Sequence, residues 1–145
     1  MTEVKTTYCK EQDAHKEYWI VDAKDQILGR LAVKVASVLR GKHKPTFEPS
    51  ADNGDFVIVV NAASIRLTGK KEDQKEYKHH SLYPGGLKVR SFKEQKKRFP
   101  DRIIEEAVQG MLPKNTLGRS QLKKLKVYAG ETHPHQAQKP KFLAI

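Results

Sequence analysis

The chain has 145 residues, enough for one domain with a real core and too few for two comfortable ones. Its 28 Lys and Arg against 17 Asp and Glu leave a net charge of +11 and a pI of about 9.7, the range in which a nucleic acid is the first partner to consider. The single cysteine, Cys9, rules out an internal disulfide and suits a reducing compartment; with no long apolar run for a membrane span or signal peptide, a soluble intracellular protein is expected.

Residues 1–17 read as a loose N-terminal tail. The first 25 residues hold four lysines against six acids, so everything from Gln26 onward carries +13. Tyr18-Trp19-Ile20-Val21-Asp22-Ala23 is a short aromatic and β-branched run that predicts a first strand. From Leu28 the apolar residues Leu31, Ala32, Val35, Ala36, Val38 and Leu39 follow at helical spacing, with Arg30, Lys34, Ser37 and Arg40 on the other face. Asp25 or Gln26 is expected to open this helix and Gly41 to close it. Asp55 to Asn61 is an unbroken apolar run of strand length, the pattern of a strand covered on both faces in a parallel sheet. Strand, helix and second strand make a βαβ unit, which argues for an α/β layered domain.

Ile65 and Leu67, alternating with Arg66 and Thr68, suggest a shorter strand before Gly69. From about 72 to 91 the chain is polar and cationic around a Pro84-Gly85-Gly86 turn and reads as an exposed arm or hairpin. Pro100 suits the first turn of a helix whose stripe is Ile103, Ile104, Ala107, Val108, Met111 and Leu112. A shorter helix, roughly Gly118 to Lys124, leads to a last strand at Lys126 to Ala129. The expected organisation is a tail at 1–17, one α/β domain at 18–130 bearing the arm, and a C-terminal tail at 131–145.

An α/β fold invites a nucleotide-binding reading, and the glycines refuse it. A phosphate loop needs a glycine where Ser64 stands and a hydroxyl residue where Lys71 stands, and no G-x-G-x-x-G follows a strand. His79 and His80 are adjacent and diverge on any regular element, and His133-Pro134-His135 is a slightly better pair without further ligands at metal spacing. Ser81, Ser91 and Ser120 lack a nucleophile elbow. Neither a metal, a cofactor, a small-molecule substrate nor catalysis is expected.

What remains is Lys and Arg interleaved with aromatic rings. Arg40-Gly41-Lys42-His43-Lys44-Pro45 issues from the end of a helix, where the dipole already favours cations, and the next carboxylate in sequence is Glu48. Tyr77 lies beside Lys75, Lys78, His79 and His80; Tyr83 near Lys88 and Arg90; Phe99 after Lys96, Lys97 and Arg98. Cations neutralise phosphates and aromatic rings stack on unpaired bases, so RNA fits this pattern. A solvated surface is the bland alternative for each cluster.

Many segments, in order, resemble the bacterial large-subunit ribosomal protein L-thirteen family. They include Val21-Asp22-Ala23, Leu28-Gly29-Arg30-Leu31-Ala32, Leu39-Arg40-Gly41-Lys42-His43-Lys44, Leu67-Thr68-Gly69-Lys70-Lys71, Gly110-Met111-Leu112-Pro113-Lys114, Leu117-Gly118-Arg119 and Lys124-Leu125-Lys126-Val127-Tyr128. The resemblance implies a three-layer α/β domain with a mostly parallel central sheet and helices on both faces. It also implies a structural constituent of the cytoplasmic large ribosomal subunit, lying on 23S ribosomal RNA beside neighbouring large-subunit proteins and joining early in assembly. The residues then expected at the rRNA are Arg30, Lys34, Arg40, Lys42, His43, Lys44, Lys70, Lys71, Lys78, His79, His80, Lys88, Arg90, Lys114, Arg119, Lys123, Lys124, Lys126, His133 and His135. A free RNA-binding translational regulator of the same fold is the second reading, and a small nucleotide-binding enzyme the third. Two departures stand out: Ser50 where a histidine is expected, and the acidic start from Met1 to Glu17, which matches nothing in the family pattern.

Overall fold

A computed structural model describes residues 14–144; the expectations for Cys9 and for the tail up to residue 13 lie outside them. The aromatic and β-branched run forms β1, Tyr18–Asp22, and the unbroken apolar run forms β2, Phe56–Val60. The two pair in parallel, Tyr18 opposite Phe56 through to Asp22 opposite Val60. Strand β5, Leu125–Val127, which comes after the hairpin strands in chain order, adds to the other edge of β2. The four-stranded sheet is completed on β1 by Lys141–Phe142, here β6, and runs β5-β2-β1-β6 with every pairing parallel. Residues beyond Gly130, expected to trail as a tail, therefore return to the sheet.

The helix between β1 and β2, α1 at Leu28–Arg40, buries the stripe its spacing marks, from Leu28 to Leu39. Neither Asp25 nor Gln26 caps it. The cap position is Ile27 without a side-chain bond, because the carbonyl of Arg66 accepts from Leu28 N–H (3.0 Å) and satisfies a first-turn donor directly. Ile27 and Arg66 form an isolated parallel bridge, and this single bridge is what stands in place of the strand expected at Ile65–Leu67. At the other end Gly41 takes a left-handed conformation (φ 77°), and its N–H closes onto the Ser37 and Val38 carbonyls. Gly54 passes so close to the helix end that a Cβ there would sit 1.8 Å from the Leu39 carbonyl oxygen. The helix terminus and the 51–55 loop are thus locked backbone to backbone.

After β2 the chain makes a helical turn, α2 at Lys71–Gln74, then the antiparallel hairpin β3, Glu76–His80, and β4, Leu87–Ser91. Ser91 caps α3, Phe92–Arg98, its hydroxyl accepting from Glu94 N–H, and Phe92 anchors that helix in the core. Phe99 turns the chain into α4, Pro100–Met111, with Pro100 in the first turn as its fixed φ requires. Met111, expected in the buried stripe, ends the helix 42% exposed. Asn115 caps α5, Thr116–Lys123, accepting from Gly118 N–H at 2.7 Å. Helices α1, α4 and α5 pack on one another and share Leu31, Val35, Ile104 and Val108 with Val57 and Val59 of the sheet in one core. Ile58 and Val60 point to the opposite side and are buried as well, so β2 is covered on both faces.

Candidate nucleic-acid interface

The basic segment that leaves α1 divides in two. Arg40 lies half-buried with its guanidinium over Phe47 (5.8 Å), and Lys42 is exposed. His43 and Lys44 turn inward to Asp55, which is fully buried. His43 Nε2 lies 2.9 Å from Asp55 Oδ2, Trp19 Nε1 donates to the same oxygen at 3.1 Å, and the backbone N–H of Glu17 donates to Oδ1 at 2.9 Å. The Lys44 ammonium bonds Asp55 and also the carbonyls of Asn53 (3.1 Å) and His15 (2.6 Å). Burial alone would raise the Asp55 carboxyl, but the Glu17 N–H, the Lys44 ammonium and the Trp19 indole together hold it below the ordinary carboxylate value. The carboxylate that neutralises this cluster is therefore distant in sequence and adjacent in space. Expecting His43 and Lys44 to be unneutralised until Glu48 was an error of sequence distance.

Lys124 is a correction of the same kind. Expected at the RNA surface, it is 5% exposed, and its ammonium donates to Asp52 Oδ1 (2.6 Å), the Gly54 carbonyl (2.9 Å) and the Leu39 carbonyl (3.2 Å). Burial lowers its pKa, with the Asp52 carboxylate opposing that shift. All three ammonium hydrogens are used, so this lysine is a rivet between β5, the 51–55 loop and the last turn of α1. It has nothing left for a phosphate.

Most other expected contacts are exposed. Arg30 and Lys34 lie one turn apart on the solvent face of α1, and Arg119 and Lys123 do the same on α5. Lys70, Lys71, Lys114 and Lys126 are exposed too. None of these eight forms an ion pair with a described residue. On the hairpin, Tyr77 pairs with Arg90 and His79 with Lys88 across the strands, which puts the four on one face. Lys78 makes an exposed pair with Glu76 (3.3 Å), and His80 Nδ1 accepts from Leu82 N–H. Leu82 and Tyr83, 91% and 77% exposed, leave the hairpin tip bare. His133 and His135 serve the local fold: His135 Nε2 meets the Tyr128 hydroxyl at 2.8 Å and its N–H donates to His133 Nδ1. Ser50 Oγ lies 3.3 Å from Glu48 Oε1 at the exposed rim of the 51–55 loop. Among the described residues no three His, Cys, Asp or Glu side chains gather for a metal, and no helix is long and apolar enough to cross a membrane.

Arg102 escaped the sequence reading. Its guanidinium lies 4.4 Å from the Phe99 ring centre, and that of Arg90 lies 5.5 Å from the same ring, so two cations from α4 and β4 share one aromatic support. Arg102 sits on a helix that reads as core stripe, and no spacing rule joins it to residue 90.

The described surface of this parallel-sheet fold carries Lys and Arg outside ion pairs in separate groups, the make-up of a basic α/β protein. Residues 16–134 match the family model described as Ribosomal protein L13, and the chain belongs to that family. Similar proteins bear the name large ribosomal subunit protein uL13. That of Syntrophomonas wolfei is 56% identical over 137 residues, 94% of this chain and 95% of the relative. That of Dictyoglomus thermophilum is 57% identical over 142 residues, 98% and 100% of the two chains, and that of Synechococcus elongatus 58% identical over 140, 96% and 93%.

Proposed function

We propose that this chain is a structural constituent of the large subunit of the cytoplasmic ribosome, that it binds 23S ribosomal RNA, and that it joins early in assembly. The observation that carries the reading is the set of exposed cations that form no ion pair with a described residue: Arg30 and Lys34, Lys70 and Lys71, Lys114, Arg119 and Lys123, and Lys126. With Arg40, Lys42, Lys78, His79, His80, Lys88 and Arg90 they form the interface; neighbouring large-subunit proteins complete its surroundings. Each phosphate met by such a side chain releases condensed counterions, and that release supplies sequence-independent affinity. The names borne by full-length relatives support the subunit. Nothing in the arrangement requires catalysis: the buried acids Asp52 and Asp55 are spent on Lys124, Lys44 and His43.

Sedimentation of a cell lysate, followed by a moderate-salt wash of the ribosomal peak, tests this. The protein should travel with the large subunit and resist the wash. Recovery at the top of the gradient among free proteins would favour a free RNA-binding regulator instead.

A further inference from the structure

The hairpin does not lie flat on the helices behind it. Between β3–β4 and the α3–α4 corner is a cleft of about 210 Å³, lined by Tyr77, His79, Arg90, Gln95, Arg102 and Glu106 among others. Three features of its wall are unexplained by the fold. Gln95 is 3% exposed, and its side-chain amide, open to the cleft, makes no hydrogen bond with a described residue. The Tyr77 hydroxyl is buried and equally unpartnered, and burial, followed by the nearby Glu106 carboxylate, pushes its pKa up to about 12, so it stays a donor. Arg90 and Arg102, both over Phe99, form no ion pair with a described residue, although the charge of Arg102 reaches the Glu105 carboxylate at longer range. Buried polar groups of this kind are normally satisfied. The cleft offers one amide, one phenol and two guanidiniums, none of them hydrogen-bonded or ion-paired by its side chain to a described residue, with the Glu106 carboxylate beside them.

We propose that this cleft is a subsite for one unpaired RNA nucleotide, its phosphate on Arg90 and Arg102 and its base against Gln95 and Glu106. The inference rests on the RNA-binding reading and sharpens it to one pocket. Guanidiniums stacked on a ring keep their in-plane N–H groups free, the geometry that receives two phosphate oxygens at once. The Glu106 carboxylate, on the exposed side of α4 in the cleft wall, repels phosphate but accepts from a base N–H edge, and the buried Gln95 supplies both a donor and an acceptor. A guanine edge, with two adjacent N–H donors, suits a carboxylate best. The contrast between the exposed Arg102 and the buried Gln95 thus places phosphate outside and base inside. A flat basic surface would make no such distinction between inorganic phosphate and a nucleotide.

The test is a titration of the full, isolated chain, followed by amide NMR, with guanosine 5′-monophosphate, adenosine 5′-monophosphate and inorganic phosphate as separate probes. Guanosine monophosphate should shift the amides of Tyr77, His79, Gln95 and Arg102 together, more strongly than adenosine monophosphate and far more strongly than phosphate. Gln95→Leu should weaken it about tenfold, the size of one well-made hydrogen bond to a charged or base edge, and Arg102→Gln by a similar factor. Because the Gln95 amide holds no internal bond, Gln95→Leu should melt at or above the parent temperature, which separates lost binding from lost folding. Equal shifts with phosphate alone, or binding indifferent to Gln95→Leu, would reduce the cleft to a general anion surface and overturn the subsite. Absence of shifts at the cleft in a chain that still sediments with the large subunit would also overturn it, leaving the wider RNA reading in place.

Discussion

At the end of α1, His43 and Lys44 bend back onto Asp55, and Lys124 threads between Asp52 and two backbone carbonyls. On the hairpin and the α3–α4 corner, Lys88, Arg90 and Arg102 form no ion pair with a described residue. Both regions are written in the same residues. What separates them is the presence, in the first, of the buried acidic loop 51–55, held against the helix end by the close approach of Gly54. A lysine in a basic stretch is structural where a desolvated acid lies within reach and available for phosphate where none does. Charge density in sequence does not report which.

Asp55→Ala would break this contrast most forcefully. It leaves the Trp19 indole without its acceptor and the Lys44 ammonium with backbone carbonyls but no carboxylate, and removal of one member of a buried pair costs about 3–5 kcal/mol. Urea unfolding should show a loss on that scale, comparable with the roughly 2–5 kcal/mol expected for Ile58→Ala at the centre of the sheet. A loss no larger than that of an exposed Arg119→Ala would erase the distinction between the two regions.

Lys124 sharpens it. Lys124→Met alone should be strongly destabilising, because Asp52 keeps only the looser contact to Lys16 at 3.6 Å. Pairing it with Asp52→Asn should recover much of the loss, since removing both charges also removes the cost of burying them. If the double variant were as unstable as the single, the backbone bonds of the ammonium, rather than the ion pair, would be what matters.

Acid provides a gentler probe. Asp55 and Asp22 both titrate below the ordinary carboxylate value in the fold, Asp22 through the bond from Asn61 and the N–H of Lys24. The unfolded chain therefore binds more protons than the native one in this range. Their contribution is fully present above the unfolded value, about 4, and is lost as pH falls through the lower folded values. Thermal melts from pH 6 to pH 2 should show a shallower acid loss in Asp55→Asn than in the parent. Parallel curves would mean that Asp55 is no better held in the fold than out of it.

The outward region is tested through salt. Alanine at Arg30, Lys34 and Lys88 should each flatten the dependence of rRNA association on salt by roughly 0.7 to 0.9 log units, one contact apiece. Lys44→Ala should leave the slope alone while lowering stability. The smallest effect belongs to the exposed Lys93–Asp73 pair at 2.6 Å, where Lys93→Ala should leave the melting temperature essentially unchanged, as exposed pairs usually do.

Periodicity was enough for β1, α1, β2 and α4, because their burial follows from local spacing: Leu28 to Leu39 repeats at helical intervals and Phe56 to Val60 is apolar throughout. It failed wherever a long-range partner decides the outcome. Ile65–Leu67 alternates as a strand does, yet only Arg66 finds a neighbour, in Ile27. Lys141–Phe142 has no strand pattern and is a strand because β1 offers it an open edge. The same blindness governed the site. Exposed cations such as Arg30 and Lys34 are legible from helical facing, whereas Lys124 is misjudged because its acid lies at position 52 and Arg102 overlooked because its aromatic support is shared with position 90.

The pairing of β6 with β1 bears on how the molecule is made. As the chain is synthesised, β1 emerges early and β2 gives it a partner on one side, but its other edge stays bare until Lys141 and Phe142 arrive. Throughout that interval the row of backbone donors and acceptors along Trp19 and Ile20 is open to any passing extended segment, the usual route to edge-to-edge aggregation. A nascent chain truncated shortly before Lys141 would keep nearly all of its core and still lack the cover on that edge. Its solubility, more than its melting temperature, is where the missing β6 would be felt.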